Sequence, residues 1–203
     1  MQPEKLGRRR ISPNTRHEEL LAEFTQPLTT AQLAFRTRMK TNRCNDIVRT
    51  MAAQGLISCL NPLARRSRVY WLTARGLKRR EPLAPRPLDR TFPADIEEID
   101  WDLYGWLCYS HRSAVLKALE KPLNAASVKR AARFRDPEIR MSANNARDVL
   151  RLFLRKGVTT RANSPLCRPV YELTDQGETF QTLLLRAETR TLHDEPSRLP
   201  TNT

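Results

Sequence analysis

Two stretches of this chain, 17–76 and 111–177, overlay on each other at a series of matched anchors. Self-similarity on this scale means that one supersecondary unit is used twice, and that restricts the fold more than any single motif. Each copy begins at a histidine, His17 or His111, and runs into apolar residues at helical spacing: Leu20, Leu21 and Phe24 first, then Val115, Leu116 and Leu119. A proline-led step follows, Pro27-Leu28-Thr29-Thr30 against Pro122-Leu123-Asn124-Ala125. Thr29 or Thr30 and Asn124 carry side-chain oxygens that accept from free N–H groups of a first helical turn, so a second helix is predicted from there. Next come Asn42-Arg43-Cys44-Asn45-Asp46-Ile47-Val48 and Asn144-Asn145-Ala146-Arg147-Asp148-Val149-Leu150, each reaching a glycine nine residues after its aspartate, Gly55 and Gly157. Cys44, Ile47, Val48 and Met51 recur at helical spacing, as do Ala146, Val149, Leu150 and Phe153. A third helix ended by glycine in the left-handed conformation is predicted in both copies.

Beyond the glycine both copies turn extended. Leu56–Leu60 with Val69–Leu72, and Val158–Arg161 with Val170–Leu173, flank a loop carrying Asn, Pro and Arg, which predicts a hairpin. Both close on Tyr-x-Leu-Thr-x-x-Gly: Tyr70, Leu72, Thr73 and Gly76, then Tyr171, Leu173, Thr174 and Gly177. Helix, helix, helix, hairpin, twice, is the expected order. Pro27 lies 19 residues before Asp46, whereas Pro122 lies 26 before Asp148. The extra residues are expected in a turn around Arg135–Arg140, where insertions are tolerated.

The pattern resembles the winged helix-turn-helix fold. The run CLNPLARRSRVYWLTARG is similar to the wing and following helix of small archaeal-type and MarR-like transcriptional regulators, and LYGWLCYSHRSAVLKALEKPL to their approach to helix one. Together the likenesses span 16–80 and 96–185. The resemblance implies a mainly α protein with small β-hairpins (α+β) built as two consecutive winged helix-turn-helix domains, and carries no catalytic motif. The second copy departs from the pattern in its wing, where Pro169 replaces a basic residue. On this reading the chain comprises a basic arm (1–15), a first winged-helix domain (16–80), a Pro-rich linker (81–95), a second winged-helix domain (96–187) and a disordered tail (188–203).

Charge agrees with the repeat. The chain carries a net charge of +14, of which 16–80 holds +9 and 111–185 holds +7, while 81–110 holds −5. A merely soluble basic protein has no reason to keep its connector acidic while loading both repeats. A duplex binder needs Lys and Arg where the phosphates lie. The start, MQPEKLGRRRISPN, has no apolar signal segment and no stretch is long enough to span a bilayer, so a cytoplasmic, nucleoid-associated protein without membrane partners is expected. The four cysteines stand far apart with no CxxC, which suggests neither disulfides nor zinc.

With the apolar stripe turned inward, the third helix of the first copy presents Asn42, Arg43, Asn45 and Arg49, with Lys40 and Thr41 at its start. Asn pairs with adenine and Arg with guanine through two hydrogen bonds each, and the N-terminal part of such a helix reaches base edges. Asn144, Asn145, Arg147 and Arg151 correspond in the second copy. A solvated polar face is the plain alternative for each. Arg65, Arg66 and Arg68 in the first hairpin loop, Arg161 and Arg168 in the second, and Arg8, Arg9 and Arg10 in the arm are candidates for phosphate or minor-groove contact. Lys129, Arg130 and Arg133 could hold phosphates or line a solvated face.

His17 and His111, at matched positions, suggest packing or capping, and His193 lies in the polar tail. Trp71, Trp101, Trp106 and Tyr104 read better as core or dimer-face cover than as a ligand pocket. No Gly-rich phosphate loop, HExxH or Ser/His/Asp arrangement stands out, so no enzyme, cofactor or metal is expected. The expectation is a sequence-specific double-stranded DNA-binding transcriptional regulator, with a second copy or another protein as an open additional partner. A replication-initiation or mobile-element DNA-binding protein and a winged-helix interaction scaffold stay as alternatives.

Overall fold

The computed structural model describes residues 13–83, 96–162 and 169–188. It is mainly helical with small antiparallel sheets. The chain divides into two compact units. Among the described residues, 13–59 and 70–83 form the first, and 60–69, 96–162 and 169–188 form the second.

The first unit runs α1 (Pro13–Glu23), β1 (Leu28–Thr29), α2 (Thr30–Arg36), α3 (Thr41–Ala53), β2 (Ile57–Cys59), β3 (Val69–Leu72, its first residue counted with the second unit) and α4 (Ala74–Arg80). Thr29 caps α2 reciprocally: its hydroxyl accepts from Gln32 N while Gln32 Oε1 accepts from Thr29 N at 2.8 Å. Gly55 ends α3 at φ +67°, a conformation that costs an L residue and not glycine. The strands lie in the order β1-β3-β2, with Ile57 opposite Leu72. Leu20, Leu21, Phe24, Leu33, Val48 and Met51 are all buried, which is the apolar spacing of three helices meeting at one core.

That core also holds charge. Arg36 and Glu23 are each 1% exposed, their charged groups 3.9 Å apart, and Arg36 Nη1 also donates to the Glu23 backbone oxygen and to Thr25 Oγ1. Arg80 points to the same place, with Nη2 3.5 Å from the Ala22 oxygen. Burial pulls its pKa below the ordinary value and Glu23 partly opposes that. Removing one partner of a buried pair strands the other. Glu23→Gln is expected to cost about 3 kcal/mol in urea unfolding, whereas Glu23→Met combined with Arg36→Leu comes closer to neutral.

The second unit runs through a short 3-10 turn (Ile96–Glu98), α5 (Trp101–Leu107), α6 (Ser110–Ala118), α7 (Ala125–Arg135), α8 (Ala143–Arg155), β4 (Thr159–Ala162), β5 (Val170–Leu173) and α9 (Asp175–Glu188). Asn124 caps α7 through Ser127 N, Ser142 caps α8 through Asn145 N, and Gly157 ends α8 at φ +71°. Leu123 bridges Tyr171 of β5, so the second copy repeats the third strand of the first as a single bridge. From α6 onward the order of elements is that of the first unit. Among the described residues the 3-10 turn and α5 have no counterpart in the first unit; Trp101 and Tyr104 of α5 meet edge to face, with Tyr104 stacked on Phe180 of α9 in the core.

The additional residues of the second copy are divided differently from the expectation of a turn around Arg135–Arg140. α7 has 11 residues against 7 in α2, one extra helical turn, and only the remainder lengthens the loop before α8. The extra turn ends in Arg133, Phe134 and Arg135, with Phe134 90% exposed, so no apolar stripe announces it.

The repeated Tyr-x-Leu-Thr-x-x-Gly motif has one physical job in both units. Thr73 Oγ1 donates to the Gly55 oxygen at 2.7 Å and accepts from Gly76 N. Thr174 Oγ1 donates to the Gly157 oxygen at 2.6 Å and accepts from Gly177 N. The threonine N–H groups donate to the next carbonyls, Leu56 and Val158. Each latch ties the C-terminus of the third helix to the N-terminus of the last. A β-carbon on Gly76 would stand 1.9 Å from the Leu56 oxygen, and one on Gly177 2.1 Å from the Val158 oxygen, so only glycine lets the elements approach this closely.

Candidate nucleic-acid interface

Helix α3 sorts its residues by face. Cys44, Val48 and Met51 are buried and Ile47 is half-buried, while Lys40, Thr41, Asn42, Arg43, Asn45 and Arg49 are all exposed. Burial pushes the Cys44 thiol up to about 12, so it is an inert core group. Among the described residues the side chains of Lys40, Asn42, Arg43 and Asn45 make no hydrogen bond or ion pair, and Lys40 at the N-cap offers no side-chain cap. These donors and acceptors face solvent from the first two turns of a helix held at its far end by the Thr73 latch.

Helix α8 repeats the sorting, with Ala146, Val149, Leu150 and Phe153 buried and Asn144, Asn145, Arg147 and Arg151 exposed. Here the polar residues are engaged locally. Arg147 Nη1 donates to Asn144 Oδ1 at 2.9 Å, and Ser142 Oγ donates to Asn145 Oδ1 at 2.8 Å. Both helices carry the same exposed ion pair, Asp46 with Arg49 at 3.8 Å and Asp148 with Arg151 at 3.5 Å. Pairs of this kind contribute a few tenths of a kcal/mol, so the arginines are free to exchange them for a phosphate.

The loop between β2 and β3 belongs with the second unit, an association that no local sequence signal carries. Asn61, 1% exposed, holds it: Oδ1 accepts from Val69 N at 2.7 Å and Nδ2 donates to the Trp101 oxygen at 3.3 Å and the Ser67 oxygen at 3.4 Å. Gly105 of α5 makes room, because a β-carbon there would meet Asn61 Nδ2 and the Ser67 oxygen, each at 2.6 Å. Ser67 turns the loop at φ +52°. Arg65, Arg66 and Arg68 are all exposed on it, and Arg68 Nε donates to the Ala64 oxygen. They sit on an anchored loop, so the backbone that carries them has little conformational entropy left to lose in any contact they make.

Arg161 is exposed on β4, opposite Tyr171. On α7, Arg130 and Arg133 are exposed and Lys129 is half-buried. Arg8, Arg9, Arg10 and Arg168 lie outside the described residues, as do 84–95 and 189–203. His111 Nε2 lies 3.0 Å from the Arg140 oxygen, a packing contact. Among the four aromatic candidates, Trp101 and Tyr104 are in the core of the second unit and Trp106 is half-buried beside Phe153. Among the described residues no helix is long and apolar enough to cross a membrane. Asn61, Gly105, Glu23 and Arg36 were not singled out by sequence; a glycine between Tyr104 and Trp106 in a short helix is the one signal of close approach. No family model, curated protein or solved structure matches the chain.

Proposed function

We propose that the chain is a tandem winged helix-turn-helix protein that binds double-stranded DNA sequence-specifically and regulates transcription, without catalysis. The observation that carries the reading is the matched exposure of α3 and α8. In each, a buried apolar stripe leaves an unburied row of Asn and Arg along the same positions of the same helix. The loop arginines Arg65, Arg66 and Arg68 add phosphate donors on an anchored turn. The two rows differ in sequence, so the preferred site is asymmetric.

Asn42→Ala, Arg43→Ala and Asn45→Ala made together are expected to flatten one half of the site in a binding-site selection. The loss of discrimination there is at least about 100-fold, since each of three bidentate base contacts contributes about 1–3 kcal/mol. The residues are exposed, so unfolding free energies stay within about 0.5 kcal/mol of the parent. The matching triple at Asn144, Asn145 and Arg147 flattens the other half. An unchanged selection profile removes that helix from the role. Mapping bound sites along a genome separates promoter use from an origin-like array.

A further inference from the structure

Loop 60–69, α5 and α6, all in the second unit, line an open cleft of about 560 Å³. Its chemistry comes from Arg65, Arg66, Arg112, Asp102, Trp106 and Tyr109. We propose that this cleft binds a small phosphorylated, ring-bearing molecule of the nucleoside monophosphate class.

The volume lies within the range of about 300–1,000 Å³ usual for small-ligand sites. Three guanidinium groups line it against one carboxylate. Arg112 is fixed in advance: its Cζ lies 4.0 Å from the Trp106 ring centroid and 5.3 Å from that of Tyr109, and Nη1 donates to the Trp106 oxygen at 2.9 Å. Burial lowers the Arg112 pKa, so its charge is partly desolvated and gains from an anion. Among the described residues Arg65, Arg66 and Asp102 make no side-chain hydrogen bond or ion pair. The forked donors of arginine match phosphate oxygens two at a time.

A bare anion would use only these cations. Trp106 is engaged by Arg112 and has Lys156 Nζ 5.0 Å from its centroid, whereas Tyr109, with Arg112 farther off at 5.3 Å, keeps 48% of its surface exposed for stacking. That ring and the planar guanidinium suit a stacked base. Asp102, exposed and without a side-chain partner among the described residues, accepts from sugar hydroxyls or a base amino group.

The test uses the full chain without DNA, so it stands whether or not the DNA reading does. AMP, GMP, CMP and UMP are titrated by calorimetry and by tryptophan fluorescence, with inorganic phosphate and adenosine as single-feature controls. At least one mononucleotide is expected to bind with Kd below roughly 1 mM and about tenfold more tightly than either control. Arg66→Ala and Asp102→Asn, both at exposed positions, are each expected to weaken it about fivefold. Equal binding of inorganic phosphate overturns the ring component, and equal binding of adenosine overturns the phosphate component. Affinity unchanged in both variants, or no binding by any mononucleotide, overturns the proposal as a whole.

Discussion

Gly76→Ala and Gly177→Ala are each expected to destabilise their unit by about 3 kcal/mol or more, the upper range for overpacking a tight contact. The added methyl group meets a backbone carbonyl oxygen at 1.9 or 2.1 Å, and that oxygen already accepts from the latch threonine. Relief requires the last helix to move off the hairpin, which breaks the latch. Alanine at an ordinary helical position gains about 1 kcal/mol over glycine, which offsets only part of the cost. For a unit of this size the loss lowers Tm by roughly 12 °C or more. Gly55→Ala is the control: its φ of +67° makes alanine unfavourable by about 1 kcal/mol, but nothing lies within 4 Å of its β-carbon. Equal losses at Gly55 and Gly76 would show that backbone conformation, and not the close approach, sets the glycine requirement.

What could be read from the sequence divides along a physical line. The caps at Thr29 and Asn124, the glycine ends at Gly55 and Gly157 and the stripes at Cys44, Val48, Met51 and Ala146, Leu150, Phe153 depend on a few neighbouring residues. Local chemistry suffices for those. The extra turn of α7 does not follow, because Arg133, Phe134 and Arg135 bury no stripe. Nor do the Glu23–Arg36 pair and the Asn61 anchor, whose partners lie 13 and 40 residues away. The candidate interface is legible to the same extent: the polar row is the complement of the stripe. The anchoring of Arg65, Arg66 and Arg68 by a buried asparagine and a helix glycine is a tertiary property.

Affinity for duplex DNA is expected to fall about 1,000-fold between 50 and 200 mM salt, the consequence of roughly six neutralised phosphates at a slope of about −0.9 per contact. Lys40, Arg43 and Arg49 are exposed cations at the N-cap and on α3, Arg65, Arg66 and Arg68 on the loop between β2 and β3, and the second copy adds Arg147, Arg151 and Arg161. Arg65→Ala, Arg66→Ala and Arg68→Ala together reduce the slope by about 2–3 if the loop contacts phosphate. Their effect is similar on any sequence, in contrast to the helix triple, which changes selectivity.

The most direct measurement is therefore a titration of the intact chain against a selected duplex and a random one across that salt series. The account predicts a steep linear fall of log affinity with log salt on both duplexes, with the selected duplex at least about 1,000-fold tighter at physiological salt. An affinity nearly independent of salt, or no complex even at 50 mM, would contradict it.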